Sequence, residues 1–332
     1  MEQKPDFPAL IDNTMRGTFL KCPKEMEWAH IKHWGVNSPS VHLHAGGAFA
    51  ASLEAARRAF FEKEVGEAES LRLGLEALIK FYGPVQFEAT KNGDKSLDNV
   101  IRAYDSYFQR YPLPSDVIKP LRLPSGRCMV EFTFSIPTEV KHPQTGDPVL
   151  YGGRSDMIGV MNDVLFVTDE KTATQLGDYW AKQWDLESQF TGYIAAAKSY
   201  GYPVAGAVIR GIGLLKTKIT HQEAIIYRAD WEIERWWEQL QRDIKKMIIC
   251  WEEGYWDYAL RKDACAAYGG CPFKMLCTTP NPEQWLPIHY RHKHWNPLEK
   301  DMGEHLLDNP DFLREFQPPE LDIPDLLAAQ KK

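Results

Sequence analysis

Two aspartates and a lysine in the segment YGGRSDMIGVMNDVLFVTDEKTA are the residues best suited to chemistry in this sequence. Asn162-Asp163 separates two runs rich in β-formers, and Asn tolerates the positive φ that a two-residue hairpin turn needs. If the turn falls there, Met161 pairs with Val164, and counting outward sets Asp156 opposite Asp169. Opposed residues share a face with Cβ atoms roughly 4.5–5.5 Å apart, a gap suited to two carboxylates holding one divalent cation. Lys171, two beyond Asp169, and Arg154, two before Asp156, lie on that same face, while the Glu170 side chain points away. Gly152 and Gly153 would let something approach closely.

The Asp156 and Asp169 carboxylates, with the Glu170 backbone carbonyl, form a hard-oxygen set that selects Mg²⁺ or Mn²⁺ over softer metals. A cation there would lower the pKa of a water, aim it at a phosphodiester and stabilise the leaving oxygen. Lys171 would orient that water or neutralise charge on the phosphorane. The plain alternative is a surface hairpin whose charges form ion pairs. A one-residue slip of the turn would send Asp169 to the other face.

A second constellation is ACAAYGGCPFKMLC, in which Cys265, Cys271 and Cys277 are each separated by five residues. Gly269, Gly270 and Pro272 make the intervening backbone a tight loop, so the three sulfurs can converge. A fourth thiolate is required for a closed tetrahedral site or a cubane cluster. The spacing is not that of zinc fingers, although Zn²⁺ remains the alternative for four thiolates. Cys128 and Cys250 read as buried core thiols. The histidines of PIHYRHKHW are dense, but a polar, aromatic-rich segment explains them as well as metal does. The tryptophans between Trp231 and Trp256 read as a helix packed on the core.

The elements that must position these residues follow from periodicity. Phe49, Leu53, Ala56 and Phe60, then Leu71, Leu75, Leu78 and Tyr82, recur at helical spacing, and a further helix covers Leu97 to Arg110. From Met129 to Ile136 the pattern alternates, with Val130, Phe132, Phe134 and Ile136 on one face and Glu131 and Thr133 on the other. Strands follow over Leu150–Met161, Val164–Lys171 and Val204–Leu215, with a helix from about Lys182 to Tyr200 between the last two. EAIIYRA is a final strand before a long helix from Trp231 to about Tyr255. The sum is an α/β arrangement around one mixed sheet. Its expected regions are 1–45 with the first cysteine, helical 46–127, core 128–260, cysteine cluster 261–280 and tail 281–332.

Composition narrows the setting. A chain of 332 residues with net charge −7 has no broad basic surface, so DNA would have to enter a local groove with divalent cations offsetting the carboxylates. Arg57/Arg58, Lys216/Lys218, Lys245/Lys246 and Arg291/Lys293 are the candidate basic spots, each equally a solvated face. The first residues, MEQKPDFPALIDN, do not resemble a secretory leader, and no run approaches a membrane span. The expectation is a cytoplasmic protein whose six cysteines are not a disulfide framework.

GRSD, then DEK one hairpin later, then QFTGY resembles the RecB-like branch of the PD-(D/E)xK nuclease superfamily in motif order and approximate spacing. That resemblance implies a restriction-endonuclease-like fold with flanking helices, and a DNA exonuclease of recombination, repair or processing. It makes Asp156 and Asp169 the metal-binding acids, Lys171 the catalytic lysine, Arg154 a substrate contact, and Gln189 and Tyr193 a helix pair that completes the site and touches DNA. Independently, residues four apart share a helix face. Where the family carries an early-helix histidine this sequence has Ala50 in GGAFAASLE, which leaves Glu54, or more weakly His44 or His42, to contribute. Family members with iron–sulfur clusters, such as AddB and the CRISPR-adaptation nucleases, take one thiolate from the N-terminus and three from the C-terminus. Cys22 would then join Cys265, Cys271 and Cys277 around a [4Fe-4S] cluster that ties the two ends together. The wording is closest to phage-type single-domain members. Rival readings are an endonuclease on branched DNA, or a weakly active DNA-binding or assembly protein with a recombination or replication partner.

Overall fold

The computed structural model describes residues 4–37, 41–83, 93–266 and 270–298. In chain order the elements begin with β1 (Leu10–Ile11), α1 (Asn13–Lys21), α2 (Pro23–Met26), β2 (Trp34–Val36), α3 (Val41–Phe61), α4 (Glu67–Tyr82) and α5 (Leu97–Arg110). Then come β3 (Lys119–Pro120), β4 (Val130–Lys141), β5 (Pro148–Met161), β6 (Val164–Ala173), α6 (Asp178–Lys182), α7 (Ser188–Ser199), β7 (Gly206–Leu214) and β8 (Ile219–Tyr227). The last are α8 (Asp230–Glu253), α9 (Lys262–Cys265), α10 (Lys274–Cys277), α11 (Leu286–His289) and β9 (Tyr290–His292). Together they form a mixed α/β protein with a mixed sheet flanked by helices. Among the described residues, no helix is long and apolar enough to cross a membrane.

Contacts divide the chain into two compact units built from interleaved segments. Residues 40–134 and 154–230 form the unit that holds the acidic hairpin, and 1–39, 135–153 and 231–298 form the other. Both β4 and β5 run from one unit into the other, and each unit takes a stretch from before and after them.

In the hairpin unit the second half of β5 pairs antiparallel with β6, β6 runs parallel to β7, and β7 pairs antiparallel with β8. Parallel neighbours need a crossover, and α7 lies within it. Every residue of β7 is buried, as a strand covered on both faces should be. Against it pack α3, α4 and α5, whose Phe49, Leu53, Leu78, Val100, Tyr104 and Tyr107 share one core with Ile212 and Leu214. The helices approach so closely that a Cβ at Gly74 would stand 2.7 Å from the Ser52 carbonyl oxygen. Ser96 caps α5 by accepting the Asn99 N–H at 3.4 Å, leaving an apolar stripe to face inward.

In the other unit Asp12 caps α1 by accepting the Met15 N–H at 2.8 Å, and β1 lies parallel to the first half of β5. Arg16 of α1 is buried against Asp243 of α8 at 3.0 Å, and Tyr151 meets Trp236 edge-on at 5.2 Å. Trp28, Phe273, Leu286 and Tyr290 form a separate small core beside the β2–β9 ribbon.

Two sequence expectations need correction. The helix expected over 182–200 is two helices, because Gln183–Glu187 turns and Glu187 caps α7 by accepting the Gln189 N–H at 3.2 Å. The close approach expected at Gly152 is made by the Leu10 side chain of β1, 2.6 Å from where a Cβ would stand. The mostly helical first third also contains β1 and β2, which are too short to leave a periodic signal. Most of the tail expected over 281–332 lies outside the described residues, whereas 281–298 forms short helical turns and β9.

Candidate active site

The site is built on the β5–β6 hairpin. Asn162 and Asp163 both take positive φ, 50° and 63°, which is the mirror-image two-residue turn that matches strand twist. The ladder runs from Met161↔Val164, the pairing the turn predicts, to Met157↔Thr168, and its pairs end one step short of Asp156 and Asp169. At that step the ladder continues through a side chain, since Asp156 Oδ2 accepts the Glu170 N–H at 2.8 Å. Lys171 Nζ lies 2.6 Å from Asp169 Oδ1, and Asp169 is only 3% exposed.

Burial raises the Asp156 carboxyl well above the ordinary range, and the charges of Asp169, Glu170 and Glu131 add to it. Burial likewise raises Asp169, with Lys171 opposing. For Lys171 burial disfavours the charged form, but Asp169 and Asp156 outweigh it, so its pKa rises and the ammonium keeps its proton. Burial and neighbouring charge therefore favour the protonated form of both acids.

Arg154 joins the group through Glu131 of β4, its Nε 2.7 Å from the carboxylate. The buried Arg154 Nη1 has no hydrogen-bond partner among the described residues. Glu131 is a site residue that the sequence reading did not select. It stands at φ 57°, uncommon for a non-glycine residue, and bears on Asp156 electrostatically. The signal was its position on the polar face of an alternating strand beside the acidic hairpin.

Helix α7 supplies the next wall. Gln189 Nε2 donates to the Tyr193 hydroxyl at 2.8 Å, the four-residue pairing expected of one helix face. The Phe190 ring lies 5.8 Å from Lys171 Nζ, and the Glu187 carboxylate helps keep that lysine charged. Tyr193 meets Phe134 edge-on at 5.9 Å, which fixes its ring.

The early-helix candidates are otherwise engaged. Glu54 is ion-paired to Arg58 at 2.8 Å, and Arg58 also reaches Glu62 at 3.0 Å and the Val130 carbonyl at 2.9 Å. His44 Nε2 lies 3.3 Å from the Tyr82 carbonyl, and His42 is exposed. Arg57 and Arg58 are not a basic surface: Arg57 is buried against Glu170 and Tyr107, and Arg58 is tied up by two glutamates. The Glu170 side chain points to the opposite face of β6, as alternation requires.

Among the described residues no three His, Cys, Asp or Glu side chains are close enough to hold a metal ion as they stand. Asp156 and Asp169 nevertheless fit a divalent cation chemically: both are buried carboxyl oxygen donors whose charged form a cation would favour.

The four cysteines all fall in the other compact unit as free thiols, and among the described residues no three of them stand close enough to hold a metal ion. Burial raises the Cys277 thiol, and the charges of Cys22 and Cys265 raise it further. Cys271 is pushed up to about 12 by burial and by Glu25, whose Oε2 accepts from its Sγ at 3.6 Å. The Cys271 N–H donates to the Cys265 carbonyl at 3.2 Å, which folds the loop back on itself. Residues 267–269, within that loop, lie outside the described residues. The donor set suits a soft metal. Cys128 is a buried thiol aimed at the Phe61 carbonyl, whereas Cys250 is only half-buried on α8.

No known protein family and no curated protein matches this chain. Among solved structures it is similar to the crystal structure of SSO0001, at 14% identity over 60% of this chain and 74% of that one. The TM-score is 0.27, a likeness that carries no argument.

Proposed function

We propose that this chain is a Mg²⁺- or Mn²⁺-dependent deoxyribonuclease of the PD-(D/E)xK type, RecB-like branch, acting as an exonuclease in DNA recombination, repair or processing. The observation that supports it most is the burial of Asp156 and Asp169 just beyond the end of the hairpin ladder, close enough for one charge to act on the other, with Lys171 Nζ 2.6 Å from Asp169. Asp156, Asp169 and the Glu170 backbone carbonyl would hold the cation. When bound, it supplies a water of lowered pKa and stabilises the leaving oxygen.

The chain's own residues have separable tasks in this reading. Lys171, kept protonated by the two acids, acts as a cation beside the scissile phosphate and not as a base. Arg154 is held by Glu131 on one side, and its buried Nη1, without a hydrogen-bond partner among the described residues, would donate to a phosphate oxygen once the side chain turns outward. Gln189 and Tyr193 brace each other on α7, the helix whose Phe190 lies against Lys171, and would contact DNA from there. Asp156 also keeps the hairpin strands in register through the Glu170 amide.

In the same reading Cys22, Cys265, Cys271 and Cys277 hold a [4Fe-4S] cluster, with Zn²⁺ as the alternative. What supports this reading is the common compact unit of the four residues and the charge influence of Cys22 and Cys265 on the Cys277 thiol.

End-labelled linear DNA and covalently closed circles, each incubated with Mn²⁺, test the assignment. Release of label from linear DNA with circles intact is the expected result, and it should vanish in Lys171→Ala. Cleaved circles would make the protein an endonuclease. A second reading, a DNA-binding protein of little turnover, is favoured by Ala50 in place of the family's histidine and by the engagement of Glu54 with Arg58. Background cleavage by wild type and Lys171→Ala alike would support it.

A further inference from the structure

We propose that Arg57 is a positioning residue of the candidate active site, acting through Glu170 to fix the strand that carries Asp169 and Lys171; this rests on the nuclease reading above. Glu170 sits between those two residues in sequence and faces the other side of β6. There its Oε1 accepts the Tyr107 hydroxyl at 2.8 Å, and its Oε2 accepts Arg57 Nη1 at 3.2 Å. Arg57 Nη2 donates both to Glu170 Oε1 and, at 2.9 Å, to the Tyr107 oxygen.

The network continues across the sheet. Arg210, the β7 residue paired with Glu170 in the ladder, donates to the Tyr107 oxygen at 3.2 Å and to both Asp116 oxygens at 2.6 and 2.7 Å. Its Nε reaches Glu223 at 2.9 Å, and its guanidinium lies 3.9 Å over the Tyr111 ring. The Arg57 and Glu170 side chains are 6% and 2% exposed.

Stability does not require such an arrangement. Buried ion pairs lose in desolvation about what they gain in attraction, and apolar residues of like size often serve as well. What a two-pronged guanidinium–carboxylate contact supplies is orientation, because both planes and two distances are set at once. Glu170 is thereby held by its side chain through Arg57 and Tyr107, and by its N–H through Asp156. Alternation along a strand then passes this constraint to the front face: with Glu170 fixed behind, Asp169 and Lys171 cannot twist or slide independently. Arg57 therefore stands to Asp169 as an outer-shell partner stands to a metal ligand.

The test uses the full chain, with Mn²⁺ binding followed by the electron-paramagnetic-resonance signal of free Mn²⁺ and turnover on end-labelled DNA, well below each melting temperature. Arg57→Lys keeps the charge but loses the fork, and Glu170→Gln keeps the shape but loses the charge. Each should weaken Mn²⁺ binding or lower kcat by about 10–100-fold with KM for DNA unchanged. Glu223→Gln strips a carboxylate from the far end of the network; it should lower the melting temperature and leave Mn²⁺ affinity and kcat alone, which a merely structural role for Arg57 would not distinguish. Should Arg57→Lys fail to fold, Tyr107→Phe, lacking one donor to Glu170, should show a smaller loss in the same direction. Wild-type Mn²⁺ affinity and kcat in Arg57→Lys and Glu170→Gln would overturn the proposal while leaving the nuclease reading standing. A wild type that neither binds Mn²⁺ nor cleaves DNA would remove that reading and this proposal with it.

Discussion

Asp156 Oδ2 accepts the Glu170 N–H at 2.8 Å, so one carboxylate both faces the site and stitches the two hairpin strands together. The two roles separate by substitution. Asp156→Asn keeps an acceptor oxygen and should fold with stability no lower than that of the wild type while losing cleavage to background. Asp156→Ala also strands a buried amide, which costs about 1–3 kcal/mol and should lower the urea midpoint. Equal stability of the two variants would show that the strand contact contributes nothing.

Lys171 is expected to act only on turnover. Its ammonium is kept charged by two buried acids, so Lys171→Ala should lower kcat by about 10²–10³-fold, the range of a lost charge-stabilising donor. DNA affinity measured with Ca²⁺ in place of Mn²⁺ should hardly move. Loss of binding in step with loss of cleavage would make the lysine a phosphate anchor instead.

The pH dependence of stability follows from shifts of opposite sign. Asp156 and Asp169 are raised, so above their ordinary value of 3.8 the folded chain holds protons that the unfolded chain has released. Stability should fall as pH rises through that window, then level off above the raised values. Glu170 is held at about 2 by Arg57 against the cost of its burial, so its contribution is complete above about 4.5 and fades as pH drops toward 2. Melting temperatures in EDTA from pH 4.5 to 8 should therefore decline, and less so in Asp156→Asn. Mn²⁺ at ten times its dissociation constant should restore about 1.4 kcal/mol at the alkaline end. Identical profiles for wild type and Asp156→Asn would contradict the assignment.

For the cysteines, anaerobically purified protein should be coloured and contain iron, and Cys277→Ser or Cys22→Ser should lose both. A colourless, zinc-loaded protein would replace the cluster with a zinc site. In metal-free protein Cys271, pushed up to about 12, should react with a thiol reagent far more slowly than exposed Cys277.

The turn offers an independent check on register. Asp163 takes φ 63°, so Asp163→Gly should stabilise or be neutral, by up to about 1 kcal/mol, and keep full activity. Asn162→Val places a β-branched residue at φ 50° and should destabilise the hairpin, measured by urea unfolding.

The hairpin was legible in sequence because its signals are local: a two-residue turn, alternation on both sides, and a count outward to the acids. Helix α5 was legible for the same reason, its apolar stripe being intact from Leu97 to Arg110. Glu131 escaped because its role depends on a neighbouring strand and a local backbone twist, neither of which a single alternating run encodes. The Arg57–Glu170 contact escaped because it joins residues 113 apart, and a buried arginine and an exposed one look alike in a helix sequence. The turn between α6 and α7 was hidden by Trp180, Trp184 and Phe190, whose spacing continues an apolar pattern across a break.

Because each compact unit is assembled from separated stretches of chain, neither is finished until late in synthesis. The Lys24 amide finds its acceptor at Asp257, and Arg16 finds Asp243, so the first helices emerge long before their partners exist. The amino-terminal segment must wait, unsupported, for more than two hundred residues to follow it from the ribosome, and contacts of such separation form slowly. Loss of the carboxy-terminal segments after residue 230 should consequently be felt first at the amino terminus, whose helices lose Asp243 and Asp257.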